Sequence, residues 1–304
     1  MNTDTSPQRP ETAPVTASVT APVPRRARSA RRRPSVAVPL VLAAAGLAVT
    51  VAAGCGATGT SDASDAKSPE SAGSSGSGSG RQSPKSTGKR VLWVGDSIAG
   101  TQAPPTAAAL KASGVTFEDA SSTGGGTIVE GDKMARQIAA GTWKSLAKHV
   151  KSFRPNVIAY QITTYDWGTP AQQRASYEKL AKTARDADAD LFLVTAPPFK
   201  IDDFYAKYRG PIKSAPEAAE RAARNSGGHV HFLDASKLWG TDASASKAQR
   251  AKDGIHSCQQ GSATFAQWFT KRLGSTYDFT PAPPQKWANG PWTGDKAYAK
   301  LGCE

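Results

Sequence analysis

Cysteine, histidine and methionine are scarce in this 304-residue sequence, which holds three, four and two of them. Cys258 and Cys303 lack the spacing of a metal-binding motif, and the acidic pair Asp202 and Asp203 has no further ligands beside it. We therefore expect no metal ion and no cofactor. The hydrophobic content of 38% is also lean, but the lean part is concentrated at the N-terminus, so the remainder can bury an ordinary core.

A basic run interleaved with aromatic residues is also missing. The net charge is +13, of which +5 belongs to residues 1–54, where seven arginines face two acids. Basic and acidic side chains are interleaved in the rest, as between Lys179 and Asp190. The sequence therefore predicts no nucleic-acid binding, and its excess charge suits a mild attraction to anionic polymer or lipid.

The first 55 residues are typical of an export signal. A basic block, Arg25–Arg33, precedes an uncharged apolar run, Val36–Ala53, and a Gly54-Cys55 ending. That ending resembles a bacterial lipobox, in which Cys55 would carry the lipid. An uncleaved signal anchor is the alternative, because about 18 apolar residues are long enough to span a bilayer. Both interpretations predict an extracytoplasmic domain that is membrane-anchored or secreted, with the arginines left on the cytoplasmic side.

Residues 56–89 predict a disordered tether that joins this segment to one folded domain of residues 90–304. Within the tether, residues 71–80 are almost entirely serine and glycine, which bury too little apolar surface to order the chain. From residue 278 the domain continues as a Pro-, Trp- and Gly-rich wrap. Trp287 and Trp292 in this wrap either form one wall of a substrate cleft or pack the tail onto the domain.

Export also bears on the cysteines. If Cys55 is lipidated, Cys258 and Cys303 remain in an oxidising compartment, where a disulfide is favoured. Two free buried thiols are the alternative.

Short apolar runs alternate with amphipathic stretches from residue 90 onward, which predicts a parallel sheet covered on both faces. We therefore expect a three-layer α/β/α sandwich, in which ligands bind beyond the carboxyl ends of the strands. The predicted strands are Val91–Val94, Val115–Phe117, Val157–Ile162, Leu191–Thr195 and Val230–Leu233. The predicted helices are Pro105–Ser113, Gly141–Phe153, Pro170–Ala187, Ala215–Ser226 and Gln259–Leu273.

Two motifs lie at that edge of the predicted sheet. Gly95-Asp96-Ser97 follows the first strand, and Asp-Gly-Ile-His at 253–256 leads into the last helix. A serine hydroxyl becomes a nucleophile when a histidine takes its proton, and a carboxylate fixes the histidine tautomer. Gly95 allows a tight turn that exposes Ser97 at a helix N-terminus. The pattern predicts Ser97, Asp253 and His256 as a catalytic triad.

These motifs resemble the first and last blocks of the SGNH (GDSL) hydrolase family, a resemblance that spans residues 90–273. It implies a flavodoxin-like fold, serine hydrolase chemistry and no cofactor. The family's second block corresponds to the glycine loop 121–126, and the resemblance implies an oxyanion hole of backbone N–H groups from Ser97 and one of Gly124, Gly125 and Gly126.

The third block departs from the family pattern. It reads Thr-Thr-Tyr-Asp at 163–166, so Thr163 replaces a glycine and Tyr165 stands where the family has the oxyanion-hole asparagine. The hydroxyl of Thr164 or of Tyr165 is the candidate substitute, because hydroxyl groups donate hydrogen bonds. Tyr165 and the following Trp167 are also predicted to line the substrate cleft.

The predicted function is that of a serine esterase that cleaves acyl esters through an acyl-serine intermediate. Its export suggests O-acyl groups of envelope or extracellular polysaccharide as substrates, with small-molecule esters or lipids as other candidates. Two alternatives stay open, namely an O-acyltransferase with the same triad and a non-catalytic envelope-binding domain. His231 and His149 are assigned to a strand and to a solvated helix face rather than to catalysis.

Overall fold

The computed structural model of the chain describes residues 84–240 and 250–303. The predicted signal segment, its Cys55 and all but the last residues of the tether lie outside the described residues. Within those ranges, none of the helices combines the length and apolar character needed to cross a bilayer.

Five parallel strands form one sheet in the described part of the chain. Their order is β2-β1-β3-β4-β5, the doubly wound order of flavodoxin-like proteins, whose ligands bind where the chain switches from one side of β1 to the other. The predicted parallel α/β fold is confirmed. The strands are β1 Arg90–Val94, β2 Thr116–Asp119, β3 Val157–Gln161, β4 Asp190–Val194 and β5 Val230–Leu233.

Helices follow the strands on both faces of the sheet. In chain order they are α1 Ser97–Ala112, α2 Lys133–Phe153, α3 Pro170–Asp186, α4 Asp203–Ala206, α5 Arg209–Asn225, α6 Gln259–Tyr277 and α7 Lys296–Lys300. Two 3₁₀ turns, Pro284–Lys286 and Pro291–Gly294, lie in the tail.

The first two helices begin eight residues earlier than predicted. Their starts are set by N-caps, because the Asp96 carboxylate accepts from the N–H of Ile98 and the Asp132 carboxylate accepts from the N–H of Ala135. Two prolines, at 104 and 105, therefore lie inside α1, where the sequence pattern had suggested its start.

Each face of the sheet buries its own apolar cluster. On one face Trp93 packs against Phe265 and Phe269 of α6, with ring centroids 5.7 and 5.4 Å apart, and α1 completes the layer. On the other face Tyr160 packs near Tyr177 of α3, beside α2 and α5. All four of the residues 91–94 in β1 are buried, as expected for a strand covered on both sides. Both layers thus hold β1 rigidly below the turn that carries Ser97.

Candidate active site

Ser97 lies at the turn between β1 and α1, directly above the switch point of the sheet. The turn is tight because Gly95 leaves no room for a side chain, as an added Cβ would lie 2.5 Å from the Cβ of Ala99 and 3.4 Å from that of Gln161. Ser97 is the first residue of α1, where backbone N–H groups have no partner within the helix. The turn therefore presents a half-buried hydroxyl beside backbone donors.

Asp253 and His256 lie in a closed loop that precedes α6. The N–H of Ala251 donates to the carbonyl of His256 over 2.9 Å, and the N–H of Lys200 donates to the carbonyl of Gly254 over 2.8 Å. Gly254 has a φ of +72°, in the left-handed region that glycine tolerates best. These bonds fold the loop so that both side chains face the Ser97 turn.

The structure brings the three predicted triad residues together across a separation of more than 150 residues. His256 Nε2 lies 2.8 Å from Ser97 Oγ, and His256 Nδ1 lies 2.6 Å from Asp253 Oδ2. With the proton on Nδ1, Nε2 is free to accept the proton of the serine hydroxyl. The arrangement is that of a nucleophile, a base and a group that orients the base.

The electrostatics of Asp253 suit this role. Partial burial acts to raise the pKa of its carboxyl group, but the His256 side chain and the N–H groups of Ile255 and His256 donate to it and outweigh burial. The pKa therefore lies below its ordinary value, and Asp253 stays ionised. A fixed negative charge at this position stabilises the imidazolium that forms when His256 takes a proton.

A second carboxylate, that of Asp96, joins the nucleophile turn to the loop after β3. Its Oδ2 accepts from both the N–H and the hydroxyl of Thr164, each over 2.8 Å. Burial raises the pKa of Asp96 even though these donors oppose the shift. Because the Thr164 hydroxyl proton is engaged here, the structure contradicts the prediction that it donates to an oxyanion, and Thr164 holds the loop in place instead. Sequence reasoning missed this role of Asp96.

The glycine loop lies against the same turn. An added Cβ on Gly126 would lie 2.5 Å from the carbonyl oxygen of Gly95, and the N–H of Ser122 donates to that oxygen over 3.0 Å. Gly125 lies under the Tyr165 ring, whereas Gly124 is exposed and has open space around it. Of the three glycines, Gly126 is therefore the one that packs against the backbone of Gly95 and Asp96, directly before Ser97.

Asp166, the last residue of the altered block, ties this glycine loop to the rest of the site. Its carboxylate accepts from the hydroxyls of Thr127, Tyr160 and Tyr177, each over 2.6 Å, and from that of Thr163 over 2.8 Å. Burial raises the pKa of Asp166 against the opposing effect of these hydroxyl donors. Thr127 directly follows the glycine loop, Tyr160 lies in β3, Tyr177 in α3 and Thr163 in the loop after β3. One buried carboxylate therefore joins these four segments.

Tyr165 and Trp167 follow this anchored segment and have different environments. Tyr165 is half-buried, and the carbon that bears its hydroxyl lies 3.1 Å from the position of a Cβ added to Gly125. Its phenol end thus reaches the glycine loop beside Ser97. Trp167 is only 1% exposed and stacks on Tyr208 with centroids 3.4 Å apart. Trp167 therefore supports the cleft from behind, and the prediction that it lines the cleft is wrong.

The tail is fixed behind the site. Cys258 and Cys303 form a disulfide with Cα atoms 5.4 Å apart, which confirms the disulfide interpretation over two free thiols. Trp287 is 5% exposed and packs with Ala109 of α1 and Ala266 of α6. The packing interpretation of Trp287 is therefore the one that the structure supports.

The remaining candidates lie apart from the triad. His231 stacks on Phe192 within the sheet, and burial lowers its pKa. His149 of α2 is half-buried, and its Nδ1 lies 2.5 Å from Glu118 Oε1 of β2. Among the described residues, no group of three or more His, Cys, Asp or Glu side chains is placed to hold a metal ion.

The chain is similar to several solved structures at low sequence identity. A GDSL-like lipase from Bacteroides thetaiotaomicron is 13% identical, with 62% of this chain and 89% of that chain covered and a TM-score of 0.46. TesA is 17% identical over 61% of this chain and 99% of its own, with a TM-score of 0.44. LAE5, an alpha/beta hydrolase enzyme from the metagenome of Lake Arreo in Spain, is 16% identical, with 62% of this chain and 96% of that chain covered and a TM-score of 0.44. No protein-family model and no curated protein matches the chain.

Proposed function

We propose that this protein is a serine ester hydrolase of the SGNH type. The observation that carries the proposal is the continuous contact from Ser97 Oγ to His256 Nε2 over 2.8 Å and from His256 Nδ1 to Asp253 over 2.6 Å. Such a constellation activates a serine for acyl transfer whatever fold presents it.

In this mechanism Ser97 Oγ attacks the ester carbonyl carbon while His256 takes the hydroxyl proton. The resulting oxyanion accepts hydrogen bonds from backbone N–H groups of Ser97 and the glycine loop, where Gly126 packs against the Gly95-Asp96 backbone. Collapse of the intermediate breaks the ester bond, and His256 returns the proton to the leaving alcohol. Water then attacks the acyl-serine with His256 as base, which releases the carboxylic acid and restores Ser97.

The proposed substrates are O-acyl groups on envelope or extracellular polysaccharide. The predicted export signal and tether at residues 1–89 support this assignment, because they would place the domain outside the cell and within reach of the envelope. The same segment, through lipidated Cys55 or an uncleaved anchor, is the proposed link to the membrane.

The test uses the full chain extracted in mild detergent, with Ser97→Ala and His256→Ala as variants. Fluorophosphonate labelling and turnover of p-nitrophenyl acetate are measured in parallel. We expect the wild type to label and to turn over, and both variants to do neither while keeping the wild-type circular dichroism spectrum. A well-folded wild type that neither labels nor turns over would refute the proposal and favour a binding domain.

A further arm separates hydrolysis from transfer. An acyl donor is incubated with the enzyme and an excess of acceptor sugar, and the products are identified by mass spectrometry. Hydrolysis predicts free carboxylic acid at the same rate with and without the sugar. Acylated sugar as the main product would assign the protein as an O-acyltransferase that uses the same triad.

A further inference from the structure

An exposed aromatic ring lies at the edge of an aromatic cluster beside the proposed active site. In the ranges that the structure describes, Met134 and Phe204 are the exposed large hydrophobic residues, at 43% and 47%. Phe204 lies on α4, a single helical turn capped by Asp202, whose carboxylate accepts from the N–H of Tyr205. The cap fixes this turn, so the exposed face of the Phe204 ring has a defined position toward solvent.

The Phe204 ring belongs to a group of aromatic side chains that reaches the triad. We call this group the aromatic rim; it consists of Tyr165, Trp167, Phe204, Tyr205 and Tyr208. Tyr165 touches the glycine loop at one end of the rim. Ile255, which lies between the two triad residues of the last motif, packs against the same cluster. Phe204 marks the outer end, so the rim leads from the glycine loop and the loop of Asp253 and His256 to solvent.

Three cations surround the rim. Lys207 Nζ lies 4.8 Å from the centroid of the Tyr208 ring, and the Lys200 side chain packs on Gly254 of the triad loop. Lys133 begins α2 next to Asp132, whose carboxylate accepts from the Tyr208 hydroxyl over 3.3 Å. These three lysines are exposed, and none of them forms an ion pair with a described carboxylate, in contrast to Lys179 and Lys182 on α3.

Three carboxylates also lie at the rim. Asp132 and Asp202 cap α2 and α4, and Asp203 distinguishes between two kinds of anionic partner. Asp203 is exposed and directly precedes Phe204, so insertion of the ring into a bilayer would carry that charge toward the hydrocarbon at a high energetic cost. A carboxylate instead accepts hydrogen bonds from sugar hydroxyls. Flat aromatic rings supply a stacking surface and the lysines supply counter-charges, and this combination suits a charged polysaccharide.

We propose that the aromatic rim binds an anionic, O-acylated polysaccharide, with a sugar ring stacked on Phe204 and its acid groups near Lys200 and Lys207. The inference rests on the proposed function, since it names the substrate class of that site. The ester would then lie toward Tyr165 and Ser97, with the polymer backbone leading outward along the rim.

The experiment measures binding in the full chain carrying Ser97→Ala, so that the ligand is not consumed. The probes are O-acetylated polygalacturonate oligomers, acetylated xylo-oligosaccharides as the neutral comparator, and vesicles of phosphatidylglycerol and phosphatidylcholine. Affinity is measured by calorimetry at low and moderate salt. The added variants are Phe204→Ala, Phe204→Leu, a Lys200→Gln/Lys207→Gln pair and Lys271→Gln, a matched control because Lys271 is an exposed cation on α6.

Both Phe204 variants are expected to weaken binding of the polygalacturonate roughly five- to tenfold, because leucine keeps the apolar bulk and loses the stacking face. The lysine pair should weaken binding at low salt and flatten its salt dependence. Lys271→Gln should bind like the parent. Stronger binding of the charged than of the neutral oligomer, with this order of variants, supports the proposal.

Equal affinity of the parent and both Phe204 variants would overturn it. The proposal would also be overturned if the protein bound vesicles but not polygalacturonate, and if this vesicle binding fell with Phe204→Ala but not with Phe204→Leu. That outcome would identify a lipid-facing surface. Failure of the proposed function looks different. In that case the wild type shows no labelling or turnover, while the Ser97→Ala protein still binds the oligomer through the rim.

Discussion

Among single residues, Tyr165 sets this site apart from the family that its motifs resemble. Thr163 and Thr164 donate their hydroxyl protons to Asp166 and Asp96. The Tyr165 hydroxyl, whose side-chain hydrogen-bond neighbour is Tyr205, is the candidate donor that the altered block retains. Its phenol end lies against Gly125, next to Gly126, which packs on the Gly95-Asp96 backbone. One donor of an oxyanion hole typically contributes a hundredfold or more in rate.

If the Tyr165 hydroxyl is such a donor, Tyr165→Phe lowers kcat about a hundredfold with little change in KM. Tyr208→Phe is the matched control, because it removes a hydroxyl of the same cluster that bonds Asp132. Steady-state kinetics on p-nitrophenyl acetate check this. A Tyr165→Phe enzyme with wild-type kcat, or a Tyr165→Asn enzyme that gains much activity, would contradict the role assigned to tyrosine.

Tyr177 allows a test of the buried carboxylate below the site. Tyr177→Phe removes one of the hydroxyl donors to Asp166, and we expect a loss of about 1–3 kcal/mol in the free energy of unfolding at neutral pH. The missing donor raises the folded-state pKa of Asp166 further above its unfolded value. A folded state that binds the proton more tightly gains stability as the pH falls through that pKa.

The difference in unfolding free energy between Tyr177→Phe and the wild type should therefore shrink as the pH is lowered through the raised folded-state pKa of Asp166. Urea unfolding followed by circular dichroism at several pH values measures this. A pH-independent difference would mean that Asp166 is already neutral in the wild type.

At the scale of elements, two buried carboxylates hold together the loops that form the site. Asp96 joins the nucleophile turn to the loop after β3, and Asp166 joins that loop to the glycine loop and α3. Each carboxylate is buried because its donors replace the water that an ionised group would otherwise need. These hydrogen bonds to carboxylates act together with the apolar cluster around Trp167 to fix the loops.

The glycine loop should tolerate side chains very unevenly. Gly126→Ala places a Cβ 2.5 Å from the backbone oxygen of Gly95, whereas Gly124→Ala meets no atom within 4 Å. We expect Gly126→Ala to reduce kcat at least tenfold, because displacement of the loop by even 1 Å degrades a catalytic geometry. Gly124→Ala should be close to wild type. Equal activities in the two variants would show that this loop does not contribute to the hole.

At the scale of the whole molecule, the C-terminal tail is part of the folded domain. The disulfide closes a loop across a sequence separation of 45 residues between the start of α6 and the chain end. Tyr298 in the tail is buried, and its hydroxyl donates to the carbonyl of Thr101 in α1 over 2.7 Å. The tail therefore braces the two helices whose N-terminal ends frame the triad.

Replacement of both cysteines by alanine should lower the free energy of unfolding by about 4 kcal/mol, from the chain entropy of a loop of that length. Chemical unfolding of the double variant against the oxidised wild type measures this, with dithiothreitol-treated wild type as a further comparison. Because Cys258 lies two residues after His256, kcat should also fall below wild type. An unchanged unfolding midpoint would show that apolar contacts alone hold the tail.

Much of the fold and the triad could be predicted from the sequence, because the information is local. Apolar runs separated by amphipathic stretches determine a parallel α/β sheet, and motifs that follow the first and fifth strands must meet at one edge of it. The same reasoning predicts Ser97, Asp253 and His256 as a triad, and the structure places their side chains within hydrogen-bond distance.

Tertiary structure alone decided how the altered block is used. Thr164 and Tyr165 are neighbours with similar hydroxyl chemistry, and the sequence does not show that Asp96 engages one and Gly125 lies against the other. Burial of Trp167 and exposure of Phe204 are likewise undetermined by residue type, since both are large aromatics in loops or short turns. The physical reason is that the periodicity of apolar residues and the spacing of the motifs specify which elements form. Hydrogen-bond partners and solvent exposure depend instead on residues that are distant in the chain.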